Sequence, residues 1–202
     1  MADTARNQFD QPIRGVSLWL DAWRRLRKNR MAVINEQAGL LEDLVLMSKK
    51  GKALEAERLL QLAGKVKNQI SMADAVIKNM NRFAHSVDKY RHAVRLSEVL
   101  QLSTALSKRP ADIQGVTVQV EAEETPVRVS TSPFFLMNLI WLCLEKMMEA
   151  GIADKVVQIG NKPSENGATL SIKADVPVDR LTDILCAEAV RELVRELGAH
   201  AA

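Results

Sequence analysis

Two proline-free runs of helix-forming residues constrain the fold of this chain more than any other feature. The first extends from Ile13 to Lys50, with apolar residues at Trp19, Trp23, Leu26, Val33, Ile34, Leu41, Leu44 and Met47. Spacings of three, four and seven place these on one face of a long helix. Lys49 to Lys52 put basic charge and the stop-prone Gly51 at its end. The second run, Ala53 to Tyr90, steps through Leu59, Leu62, Val66, Ile70, Ala73, Ile77, Met80, Ala84 and Val87. About 38 residues at a helical rise make a rod of nearly 60 Å. Two such helices joined by a tight turn predict an antiparallel hairpin. A hairpin alone cannot cover both apolar faces, so a second copy, giving a four-helix bundle, is the expected solution.

Beyond the hairpin the texture changes. "VRLSEVLQLSTALSK" reads as a shorter helix ending near Pro110. "GVTVQVEAE" and "PVRVS" alternate like strands, and Ser132-Pro133 opens a further helix as cap and first-turn proline. "KVVQIGN" and "GATLSIKAD" predict strands around the turn-rich "NKPSENG", and "VDRLTDILCAEAVRELVRELGAH" a final amphipathic helix. The expected fold class is therefore α+β. A helical hairpin over residues 13–92 precedes a small α/β sandwich over 93–202, its sheet leaning to antiparallel. Aromatic residues make up only 4% of the chain, which suits helix-rich packing.

Composition excludes several classes. A net charge of +3, with 25 acidic residues among the basic ones, gives no reason to expect a nucleic-acid partner. No apolar run reaches the ~18 residues of a membrane span. "MADTARNQFDQP" lacks the apolar core of a signal peptide. Cys143 and Cys186 lie in apolar helical stretches without CxxC spacing, as buried thiols in a reducing cytoplasm. A cytoplasmic protein is the expectation. GxSxG, Walker-type, HExxH and GxGxxG motifs are absent.

The order of elements resembles the core of a bacterial sensor histidine kinase, a dimerising helical hairpin followed by an ATP-binding domain of the GHKL class. Three stretches carry the resemblance: "VIKNMNRFAHSVDKYRHAVRLSEVL", "GVTVQVEAEETPVRVSTSPFFLMNLIWLCLEKMMEAG" and "ATLSIKADVPV". They correspond to the end of the hairpin with its linker, the first strands with the N-box helix, and the strand end where the family carries Asp-x-Gly-x-Gly.

The residues at the family's functional positions differ. Alignment on Glu149-Ala150 sets Lys146 where the family has an asparagine that helps hold Mg²⁺ and phosphates. A lysine neutralises phosphate but cannot ligate a cation through an oxygen. Asp175 matches the adenine-reading aspartate, yet Val176-Pro177-Val178 replace the glycines that let backbone approach a nucleotide. Lys146 and Asp175 thus remain weak nucleotide-binding candidates, with a solvated helix residue and a turn residue as the plainer alternatives. "AVINEQAG" is the nearest match to the phospho-acceptor box and has Ala32 at the histidine position.

The resemblance therefore implies a non-catalytic, dimeric kinase-like protein of two-component signalling that has lost ATP and Mg²⁺ binding. Its partners would be a response-regulator receiver domain or a sensor kinase. Receiver domains dock low on the family's bundle, which corresponds here to Ala32, Asn35, Glu36 and Gly39, with Asn68 and Ser71 opposite. Two alternatives stay open. One is an ATP-independent phosphotransferase using His85 or His92, which a spacing of seven sets on one helical face, with Asp88 positioned to orient His85. The other is a nucleotide sensor without turnover. Two histidines without a third ligand are a weak metal signal, so no metal is expected. "WRRLRKNR", from Trp23 to Arg30, is either a solvated outer face or a surface for acidic partners, anionic lipid or phosphates.

Overall fold

The computed structural model describes residues 14–53, 55–123, 125–165 and 167–200, with side chains from residue 31 onward. The basic run Trp23–Arg30 and residue 13, the start of the expected hairpin, lie outside the described side chains and residues. An N-terminal helical region precedes a mixed α/β domain. Contacts divide the chain between Lys78 and Asn79.

The first unit holds α1 (Arg14–Lys49) and most of α2 (Ala56–Ala84). A turn at the end of α1 closes with Gly51 N–H donating to the Ser48 carbonyl at 3.0 Å, and Gly51 takes φ +90°, which favours glycine. The sheltered positions alternate by three and four on both helices. Apart from the half-buried Gly39, they are Ile34, Gln37, Leu41, Leu44 and Ser48 on α1, and Leu59, Leu62, Val66, Gln69, Ala73 and Val76 on α2. With only residues 50–55 between them, helices meeting along such rows must run antiparallel. The inward row is narrower than the apolar face in the sequence. Val33, Met47, Ile70 and Ile77, all expected on that face, are exposed.

Where periodicity predicts helix to Tyr90, α2 ends at Ala84 and a 3-10 turn follows over His85–Val87. The Ser86 hydroxyl donates to the Phe83 carbonyl at 2.6 Å, a local bond that competes with helix continuation. Next comes a strand absent from the sequence expectation, β1 (His92–Arg95). Its partner is β3 (Arg128–Thr131), antiparallel, and so remote in sequence that no local pattern announces it.

Between them, α3 (Leu96–Ile113) runs through Pro110 instead of stopping there. Proline sits in its last turn, which closes with Gln114 N–H donating to the Pro110 carbonyl at 3.2 Å, and Ala111 is buried beneath. A second, three-stranded sheet has the order β2 (Thr117–Val120), β4 (Val156–Ser164), β5 (Gly167–Ala174). β2 lies parallel to β4, and β4 antiparallel to β5, so the sheet is mixed. α4 (Pro133–Ala150) begins where expected: Phe135 N–H donates to the Ser132 hydroxyl at 3.5 Å, and Pro133 occupies the first turn.

The single final helix expected from the sequence is two. α5 (Val178–Cys186) and α6 (Glu188–Leu197) are separated by Ala187, whose ψ of 131° leaves the helical region. That one-residue break lets α6 turn and pack on α4, burying Val190 and Leu197. Leu100, Ile140, Leu144, Val157 and Ile159 form the centre of the core, where α3 and α4 meet the three-stranded sheet.

Candidate functional site

Sequence candidates fall in three places. Ala32, Asn35, Glu36, Asn68 and Ser71 are exposed on α1 and α2, and Gly39 is half-buried with open space where a Cβ would stand. These positions offer a surface, with no cavity chemistry of their own.

Lys146 and Asp175 stand on different elements, α4 and the segment just past β5. On α4 the Lys146 ammonium donates to the Glu149 carboxylate at 2.7 Å, on the helix surface. Glu145 beside it is held above the usual carboxylate range, chiefly by burial, then by the Glu149 charge, with Lys146 opposing. Asp175 is exposed just past β5, and its backbone carbonyl accepts from Ala153 N–H at 3.0 Å. Val176 is buried and α5 begins at Val178, so helix follows strand without a flexible glycine segment. Cys143 is half-buried, with its thiol pushed up to about 11 by that burial, and Cys186 is exposed, so neither is the fully buried thiol expected. Among the described residues no three metal-ligating side chains converge.

The histidines are brought together, though not by helical spacing. His85 stands in the 3-10 turn and His92 in β1, so they share no helical face. Both instead line a cleft of about 450 Å³, with Arg82, Arg95, Glu98 and Arg128 around the opening and Val99, Leu102 and Met137 at its apolar wall. His85 Nδ1 lies 2.8 Å from the Asp88 carboxylate, which orients an exposed ring. His92 Nδ1 is buried without a hydrogen-bond partner among the described residues. Arg95 lies 3.3 Å from Glu98 and also acts on Glu123, whose carboxyl is held low by the Val127 backbone N–H first, then by Ser97 and Arg95. Arg82 and Arg128 have no ion pair among the described residues.

Sequence reasoning passed over these three arginines. Arg82 sits in the last turn of α2, where a cation suits the helix end. Arg95 and Arg128 become neighbours only because β1 pairs with β3. The available signal is the alternation in His92-Ala93-Val94-Arg95, four residues that are too few to stand out beside the helical run before them.

No protein-family model matches the chain, and no curated protein matches it. Solved structures do. The ATP-binding domain of PrrB from Mycobacterium tuberculosis matches at 15% identity and TM-score 0.45, over 55% of this chain and 83% of that one. The histidine kinase AdeS of Acinetobacter baumannii matches at 9% and 0.45, over 84% and 85%. Histidine kinase ThkA, in a crystal structure with the response regulator TrrA, matches at 13% and 0.43, over 92% of this chain and 57% of that one. For the ThkA catalytic domain taken alone, the chain spans 61% of its length. At such identities and TM-scores these likenesses carry no assignment of activity.

Proposed function

We propose that this chain is a non-catalytic, dimeric, histidine-kinase-like docking protein of two-component signalling, whose helical region binds a receiver domain or a kinase partner. The observation that supports it most is the state of the nucleotide candidates. Lys146 is engaged by Glu149, and Asp175 projects from a strand end sealed by Val176 and α5. Neither lines the histidine cleft. A protein that keeps such packing while dispersing its polar groups acts through its surfaces.

Dimerisation is supported by the exposed rows on α1 and α2. Met31, Ala38 and Val45 recur every seven residues, as do Ala63, Ile70 and Ile77. Ala38, Val45, Ala63, Ile70 and Ile77 each directly follow an inward position, at 37, 44, 62, 69 and 76. On an antiparallel pair, positions so placed flank the seam on the same side, making one continuous apolar strip. Ile70 is 53% exposed and Met31 51%, which a second copy of the strip would cover. Val33, Leu40 and Met47 form a further exposed row on α1 alone. Ala32, Asn35, Asn68 and Ser71 stay outside the strip, open to a partner.

A second reading, phosphotransfer without ATP, is favoured by the meeting of His85 and His92 in one arginine-rimmed cleft. Melting the protein with Mg-ATP separates the readings from a nucleotide sensor. A ligand at about a hundred times its Kd stabilises by roughly 2.7 kcal/mol, which is readily seen. We expect no shift at millimolar Mg-ATP, together with saturable receiver-domain binding that Ser71→Arg abolishes. A melting shift removed by Asp175→Ala would overturn the docking reading. Acid-labile phosphorylation lost in His85→Ala or His92→Ala would favour phosphotransfer instead.

A further inference from the structure

The cleft between the end of α2, β1 and α3 carries an arrangement that folding alone does not explain. Arg95 and Arg128 are directly paired across the antiparallel β1–β3 ladder. Like charges at such positions repel and destabilise the pair of strands. Arg82 adds a third guanidinium to the same opening, against a single lining carboxylate, Glu98. Glu98 and the nearby Glu123 both act on Arg95, and Arg82 and Arg128 have no ion pair among the described residues. The first residue of α4, Pro133, also lines the cleft, so that helix directs the positive end of its dipole there. The buried, unpartnered Nδ1 of His92 supplies one more polar group waiting for a partner. Of the arginines and carboxylates that line the cleft, all but Glu98 favour an anion.

The other wall is apolar. Val99 and Met137 are buried, and with Leu102 they belong to the hydrophobic core. A volume near 450 Å³ suits a small organic molecule, larger than a bare ion requires. Arginine is the side chain best matched to phosphate oxygens, through its planar fork of donors.

We propose that this cleft binds a small phosphomonoester, its phosphate held by Arg82, Arg95 and Arg128 and its apolar body set against Val99, Leu102 and Met137. The site is distinct from Lys146 and Asp175 and independent of receiver docking.

Phenyl phosphate is a suitable probe, with inorganic phosphate and phenol as its two halves. In amide NMR spectra of the full chain, phenyl phosphate is expected to shift the signals of His92–Arg95 and Arg128–Thr131 saturably. Inorganic phosphate should bind about tenfold or more weakly, and phenol not measurably. Arg128→Gln relieves the cross-strand repulsion, so the free protein should melt no lower than the wild type, while affinity falls about tenfold or more. Arg82→Gln, on a different element, should reproduce the loss of affinity. Absence of saturable shifts at ~10 mM probe, weaker than the millimolar range of small ligands, would overturn the proposal. So would equal affinity for inorganic phosphate, or binding unchanged in both variants.

Discussion

Glu145 carries a charge that its own surroundings oppose. Its neighbours Leu144 and Met147 are buried, and the carboxyl is pushed upward by partial burial and by Glu149. A carboxyl with a raised folded pKa costs no stability while protonated in both states. The cost develops as pH rises from the usual carboxylate range through the raised value, and persists at neutral pH. Glu145→Gln is therefore expected to raise the melting temperature at pH 7, with the gain shrinking towards zero near pH 4. An equal gain at both pH values would show that charge is not the cause. Gly160 illustrates a different constraint, since a Cβ there would collide with the Glu121 carboxylate that pairs with Lys173 at 2.8 Å. Gly160 was not legible in the sequence, because its neighbours arrive from other strands. Ser132 was legible, because capping is local.

Elements were legible in proportion to how locally their reasons lie. α1, α4 and the β4–β5 hairpin follow from periodicity, capping and turn residues close in sequence. β1 did not, because its hydrogen bonds go to β3, and the break at Ala187 did not, because "CAEAV" is helix-compatible throughout. The division of the apolar residues on α1 and α2 into inward and outward rows likewise required the exposures. That division carries a prediction. Ile70→Glu places a charge in the middle of the strip, at a position 53% exposed in the single chain. Light scattering should then give a monomer where the wild type gives a dimer, with helicity retained. A wild-type monomer at high micromolar concentration would remove the four-helix bundle from consideration.

At the scale of the molecule, the candidate site was half legible. The histidines stood out by rarity, but the cleft that joins them is made by tertiary pairing, and its arginines read as ordinary surface charge. Among the described residues no helix is long and apolar enough to cross a membrane. The mixed sheet also imposes a sequence of events in time. β4 and β5 meet through the turn at Ser164 and Gly167, but β2 reaches β4 only after β3 and α4 have been spanned, pairing Thr117 with Val156. Closing a loop of that length costs chain entropy before any ladder bond repays it. β2 is thus expected to join its sheet after β4 and β5 have paired, and its amides should gain exchange protection after those of β4 and β5 in a refolding pulse. The strand that completes the sheet is the one that waits for a helix.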